Sequence, residues 1–170
     1  MTKFLFAFIF ILSVNVTFAN PEFTAREATS YINKSYEQAK TEVLKKGYKF
    51  SKKYDGFYSF QKIKEGTKYT CTLIVKQGKV KGIGTNEYYE EYSTIINDIE
   101  TNGFIFKQGF AVEYPSGQKT EFDEASTSPI ASSMTRFDKQ KTLTCFIICP
   151  YNLENGTELI SINYGIYSAK

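Results

Sequence analysis

The sequence predicts an α+β fold, a tandem repeat of a helix followed by an antiparallel β-meander, with the helices packed on one face of a shared sheet. Two near-copies of a strand-like string, YTCTLIV at residues 69–75 and LTCFIIC at residues 143–149, indicate the repeat. Ahead of these strings, Gly47 and Gly103 each end a helical pattern and precede aromatics at alternate positions. Short turns join the strands that follow, and short connections enforce antiparallel pairing.

Residues 1–19 have the features of a signal peptide. Lys3 gives the N-terminal region a positive charge, residues 4–12 form an unbroken apolar run, and Ala19 is a small residue at the cleavage point. We expect cleavage after Ala19 and export to the periplasm or the extracellular space, without stable membrane insertion afterwards. The alternative is a membrane anchor, which needs about 20 apolar residues, more than this run contains.

The first helical region is predicted from its capping residues. It begins at Thr24, which forms a Thr-x-x-Glu capping box with Glu27, and it ends near Lys46. A second capping box, at Ser35 and Gln38, leaves open whether the region is one long helix or two.

The later helix is predicted from Thr85 or Asn86 to Asn102, because its apolar residues recur on one helical face. Those residues are Tyr88, Tyr92, Ile95, Ile96 and Ile99. The two repeats are accordingly expected to cover residues 20–84 and residues 85–170, within one compact domain.

Strand patterns separated by turn residues follow each helix. The first meander is predicted at residues 48–51, 57–62, 68–76 and 79–83, with turns at Asp55-Gly56, Glu65-Gly66 and Gln77-Gly78. The second is predicted at residues 104–106, 110–114, 134–139, 142–149 and 158–167, with turns at Gln108-Gly109 and Asn155-Gly156.

The second repeat contains an inserted loop at residues 115–133. The segment from Gly103 to Cys145 is 18 residues longer than its counterpart from Gly47 to Cys71. Long loops in compact domains are usually either functional or disordered, and the sequence leaves both interpretations open.

Composition excludes several chemistries. The chain has no His, which rules out Ser-His-Asp triads, Cys-His dyads and His-containing metal sites. The formal net charge of +3 falls to +2 when Lys3 is removed with the signal, and so small a charge argues against a nucleic-acid partner. We expect no cofactor and no metal.

The three cysteines lie with large apolar residues on one face of their strands. They are interpreted either as buried small hydrophobic residues or as the source of one disulfide, between Cys71 and Cys145 or Cys149. Cys145 and Cys149 cannot pair with each other, because four residues of extended strand span roughly 13 Å.

Carboxylates provide the remaining route to catalysis. Three carboxylates, Glu87, Glu90 and Glu91, fall within about one turn of the predicted later helix. They are interpreted either as an acid/base pair or as the solvated face of the helix. A small secreted hydrolase using paired carboxylates is therefore the alternative function.

Aromatic content points to binding. The chain has 13 Tyr and 15 Phe, and Tyr offers a rigid contact area with a polar tip. The candidate binding residues are Tyr58, Tyr89, Tyr114, Glu121, Phe122 and Asp123. For the tyrosines, the alternative is a structural role in half-exposed strands.

The order of elements, the duplication and the export signal together resemble the duplicated helix-plus-sheet modules of secreted bacterial proteins, of the beta-lactamase-inhibitor-protein and PepSY types. The resemblance implies a non-catalytic, inhibitor-like module that binds a protein or envelope partner through its open sheet face and protruding loops. No site residue is transferred from it.

Overall fold

The computed structural model describes residues 21–88, 92–113, 116–126, 130, 132–149 and 161–168. The predicted signal peptide and the predicted turn at Asn155-Gly156 lie outside these ranges. The helices are α1 Ala25–Tyr31, α2 Tyr36–Lys45 and α3 Tyr92–Thr101. The strands are β1 Lys49–Tyr54, β2 Phe57–Lys64, β3 Thr67–Lys76, β4 Lys79–Tyr88, β5 Ile105–Val112, β6 Lys119–Phe122, β7 Ser133–Lys139, β8 Leu143–Cys149 and β9 Ser161–Ser168. The α+β class is confirmed.

The first helical region is two helices, and each has its own capping box. The Thr24 hydroxyl accepts a hydrogen bond from the Glu27 amide at 3.2 Å, and the Ser35 hydroxyl accepts one from the Gln38 amide at 3.3 Å. Between them, Asn33 has a φ of 69°, a left-handed conformation that a continuing helix does not permit.

The predicted start of the later helix is wrong. β4 continues to Tyr88 and pairs with β9 through Asn86 and Glu87, so α3 begins only at Tyr92. The expected boundary between residues 84 and 85 therefore falls inside a strand. Helical spacing around Tyr88 was misleading because the backbone of this segment finds its hydrogen-bond partner in β9, far away in the sequence.

All the described strands form one antiparallel sheet of nine strands, in the order β1-β2-β3-β4-β9-β8-β7-β5-β6. The three turns of the first meander each have positive φ at both central residues, as two-residue hairpins require. At Asp55-Gly56, for example, the values are 38° and 80°.

Two predictions in the second meander are corrected. The expected turn at Gln108-Gly109 lies within β5, where an irregularity in pairing between Phe106 and Gln108 replaces a turn. The inserted loop at residues 115–133 contains strand β6, which pairs with β5 and adds an edge to the sheet.

A single hydrophobic cluster joins the buried side chains of the helices and of one sheet face, which we call the core face. On β3 this face carries Tyr69, Cys71 and Leu73, in strict alternation with less buried residues. Buried helical residues such as Val43 and Ile99 belong to the same cluster. Each fully buried Leu, Ile or Phe side chain contributes about 1.5–3 kcal/mol of transfer free energy.

Candidate binding surface

The strand residues that alternate with those of the core face form the opposite side of the sheet, the outer face. Six exposed large side chains of the described strands lie there by their register. They are Tyr54, Phe57, Ile63, Ile105, Val112 and Ile148. Tyr54 and Ile63, each 78% exposed, are the extreme cases. These side chains make the outer face the candidate interaction surface.

The centre of the outer face is a shallow groove at the junction of β4 and β9. Gly84 and Gly165 face each other across the two strands, so the floor of the groove has no side chains. The Tyr167 ring covers part of the floor, because a Cβ added to Gly165 would lie 2.5 Å from the Tyr167 hydroxyl oxygen. The cavity measures about 180 Å³.

The walls of this groove differ in chemistry. Thr70 and Thr72 of β3 line one side, and Phe146 and Ile148 of β8 line the other. The Thr70 hydroxyl donates to the Asn86 side-chain oxygen at 2.8 Å, which fixes the polar wall. Such a groove can accept a side chain with an apolar body and a polar tip.

One ion pair on the outer face is well organised. Arg136 donates from Nε and Nη2 to the two carboxylate oxygens of Asp138, both at 3.0 Å, and Thr144 donates to the same carboxylate at 3.0 Å. Burial alone would raise the pKa of Asp138, but the hydrogen bonds from Arg136 and Thr144 and the nearby positive charges lower it overall.

A second, wider groove lies at the β1 end of the sheet and measures about 550 Å³. Phe50 and Ile63 supply its apolar surface, and Lys49, Lys62 and Lys68 surround them. Lys62 forms a salt bridge with Glu22, which is nearly buried.

Tyr58 lies on the core face and not on the outer face. Its ring centroid is 4.1 Å from that of Tyr36, and Lys53 Nζ lies 5.1 Å from its centre. The packing of Tyr58 between helix α2 and the sheet gives this half-buried residue a structural role. Tyr89 and Tyr114 lie outside the described residues.

The three predicted binding residues of the inserted loop do not lie together on one face of the sheet. Glu121 lies on the outer face of β6, where it accepts a hydrogen bond from Lys119 Nζ at 2.7 Å. That hydrogen bond and the Lys119 charge lower the pKa of Glu121. Phe122 faces the opposite way, because it pairs with Gly109 and a Cβ there would lie 2.7 Å from its ring. Asp123 is exposed just beyond the strand.

A disulfide between Cys71 and Cys145 or Cys149, one of the two interpretations of these residues, does not fit the structure. Cys71 lies in β3 and the other two lie in β8, and both β4 and β9 separate these strands. Three strand spacings amount to roughly 14 Å, whereas disulfide-bonded Cα atoms lie within about 7 Å of each other. All three are buried thiols, and burial raises the pKa values of Cys145 and Cys149.

The carboxylate trio does not form on one helix, since Glu87 belongs to β4 and residues 90 and 91 lie outside the described ranges. Within the described residues, no group of three or more Cys, Asp or Glu side chains is placed to hold a metal ion.

Among those same residues, no helix has the length and apolar character needed to span a membrane.

Sequence reasoning expected binding through the open sheet face but did not identify the exposed residues that form it. The signal for them is the alternation along β2 and β8, because both sides of these strands contain large apolar residues. No protein-family model matches the chain, and comparisons with curated proteins and with solved structures found no significant similarity.

Proposed function

We propose that this chain is an exported, non-catalytic binding module that engages a folded protein partner through its outer face. The observation that carries the proposal is the set of six exposed large side chains on that one face. Burying each of them in a complex would remove apolar surface from water, which favours association.

The dimensions of the outer face support a protein partner over a small ligand. Nine strands about 4.8 Å apart span roughly 40 Å, and five residues along each strand add roughly 17 Å. The product, roughly 700 Å², approaches the area of about 800 Å² that each partner contributes to a standard interface. The central groove of about 180 Å³ is smaller than the ligand pockets of about 300 Å³ or more found in binding sites.

We further propose that the fold arose by duplication and that the helices cover the core face alone. The near-copy strings provide support, since they lie in β3 and β8, and each of these is the second strand from the β4–β9 junction. The shared cluster of buried helical and strand residues supports the second part. Export rests on the signal-like residues 1–19.

Capture with matched variants tests the proposal. Mature protein covering residues 20–170 is immobilised and exposed to envelope and secreted fractions, and a captured protein is identified and purified for direct binding. The double variant Ile63→Lys/Ile148→Lys places charges on the outer face at exposed positions. We expect it to bind at least about tenfold more weakly, because each buried charge must be desolvated.

Leu44→Lys is the matched control, since Leu44 is 41% exposed on α2 and not on the sheet. It should bind like the wild type. Equal binding by the outer-face variant, with its fold verified by circular dichroism, would contradict the proposal.

A further inference from the structure

The charge of the chain is divided along its length. Residues 34–81 contain 13 Lys and four acidic residues, whereas residues 87–124 contain nine acidic residues and two Lys. Such an asymmetry is invisible in the small net charge, but it creates a basic part and an acidic part on the same molecule.

Part of this asymmetry reaches the two ends of the sheet, since three of the nine acidic residues lie in or directly after β6. β1, in the basic part, and β6, in the acidic part, are the edge strands of the nine described strands. Each therefore has a row of outward backbone groups that no described strand pairs. All six residues of β1 are exposed, and so are three of the four in β6.

The side chains at these edges are charged and exposed. β1 carries Lys49, Lys52 and Lys53, and none of these forms a salt bridge with a described residue. Asp123 and Glu124, directly after β6, likewise form no salt bridge within the described part of the chain.

Pairing of two β1 edges, or of two β6 edges, is disfavoured. Two β1 strands side by side would bring lysines together, and two copies of residues 119–124, each with one Lys and three carboxylates, would repel through their net negative charge. A β1 edge against a β6 edge instead brings opposite charges together. The charges thus select a head-to-tail contact over a two-fold symmetric one.

We propose that a second copy of this chain docks its β1 edge against the β6 edge of the first, extending the sheet from one molecule to the next. Neighbouring strands alternate in direction and the described sheet has nine of them, so β1 and β6 run the same way. A copy added without inversion pairs β6 with β1 in parallel, and the two outer faces are continuous.

In this parallel pairing the acidic C-terminal end of β6, at residues 121–124, lies on the same side as the C-terminal end of β1, where Lys52 and Lys53 are placed. This contact uses the edges of the sheet and does not depend on the proposed partner of the outer face.

Sedimentation velocity on mature wild-type protein tests the contact. Masses above the monomer should appear as concentration rises to about 100 μM in roughly 20 mM salt and disappear in roughly 500 mM salt, because ions screen the edge charges. A monomer throughout this range at low salt would overturn the proposal.

Charge reversal locates the contact. Lys52→Glu/Lys53→Glu and Asp123→Lys/Glu124→Lys should each weaken association at least about tenfold. An equimolar mixture should associate again at low salt, with the two variants alternating, because each contact between unlike variants then joins opposite charges. The control Lys76→Glu/Lys79→Glu changes the same charge at the exposed β3–β4 turn and should associate like the wild type.

Two results would overturn the edge assignment: association that neither reversal weakens, and a mixture that stays monomeric although both variants are folded. If either reversal prevents folding, Lys52→Gln/Lys53→Gln and Asp123→Asn/Glu124→Gln remove the charges instead, and each should weaken association. Unchanged association of both neutral variants would likewise contradict the proposal.

Discussion

At the scale of single residues, burial governs the state of the three cysteines. Cys71 and Cys145 are fully buried, and Cys149 is 1% exposed. Burial raises the pKa of the Cys145 thiol, and the nearby Asp98 charge adds to this effect. The neutral thiol is a poor nucleophile, so these side chains should be inert in the folded protein.

Thiol labelling checks this prediction. Protein prepared without reductant should react slowly with a maleimide when folded and should take up three equivalents after unfolding, one for each cysteine. Uptake of only one equivalent after unfolding would mean that a disulfide had formed and that the separation of β3 from β8 is incorrect.

The pKa of Asp138 predicts a specific pH dependence. Its folded-state pKa lies below the ordinary value of 3.8, so the ionised carboxyl stabilises the fold above about pH 4. That contribution is lost as the pH falls through the lowered folded-state pKa. Asp138→Asn removes it, so the variant should be less stable near neutral pH.

Urea unfolding of wild type and Asp138→Asn from about pH 7 to about pH 2 measures the effect. The difference in unfolding free energy should shrink on acidification, because the protonated carboxyl resembles the amide. A difference that is constant with pH would show that the carboxylate contributes no ionisation-linked stability.

At the scale of elements, local sequence signals identified the starts of α1 and α2 and the turns of the first meander, which depend only on neighbouring residues. The capping boxes at Thr24 and Ser35 and the turns of the first meander are such signals, and the structure confirms them. The extension of β4 to Tyr88 depends on β9, a pairing partner that is distant in the sequence. The outer face, likewise, required the register of the whole sheet.

The cap of α1 provides a test at this scale. α1 has only seven residues, and its first turn depends on the Thr24 hydroxyl and on the Asp98 carboxylate, which accepts a hydrogen bond from the Ala25 amide. Thr24→Ala should lower the free energy of unfolding by about 1 kcal/mol, because the Glu27 amide loses its acceptor.

Thermal or urea unfolding measures this change, and Thr101→Ala, at an exposed position in the last turn of α3, is the control. The control should change stability by less than about 0.5 kcal/mol. Equal losses in the two variants would show that the capping hydrogen bond does not stabilise α1.

At the scale of the whole molecule, different parts of the sheet have three different roles. Its core face joins the hydrophobic cluster that stabilises the fold, and its outer face carries the exposed side chains that we assign to binding. Its two ends carry opposite charge, to which we assign self-association. These assignments predict that partner binding and self-association can be removed separately by substitution.

Hydroxyl-radical footprinting of the module, alone and saturated with its captured partner, tests the binding assignment most directly. We expect oxidation of Phe57, Ile63 and Ile148 to fall on complex formation and oxidation of Leu44 on α2 to stay unchanged. Protection of Leu44 with undiminished oxidation of the three outer-face residues would place the partner elsewhere and overturn the assignment of binding to the outer face.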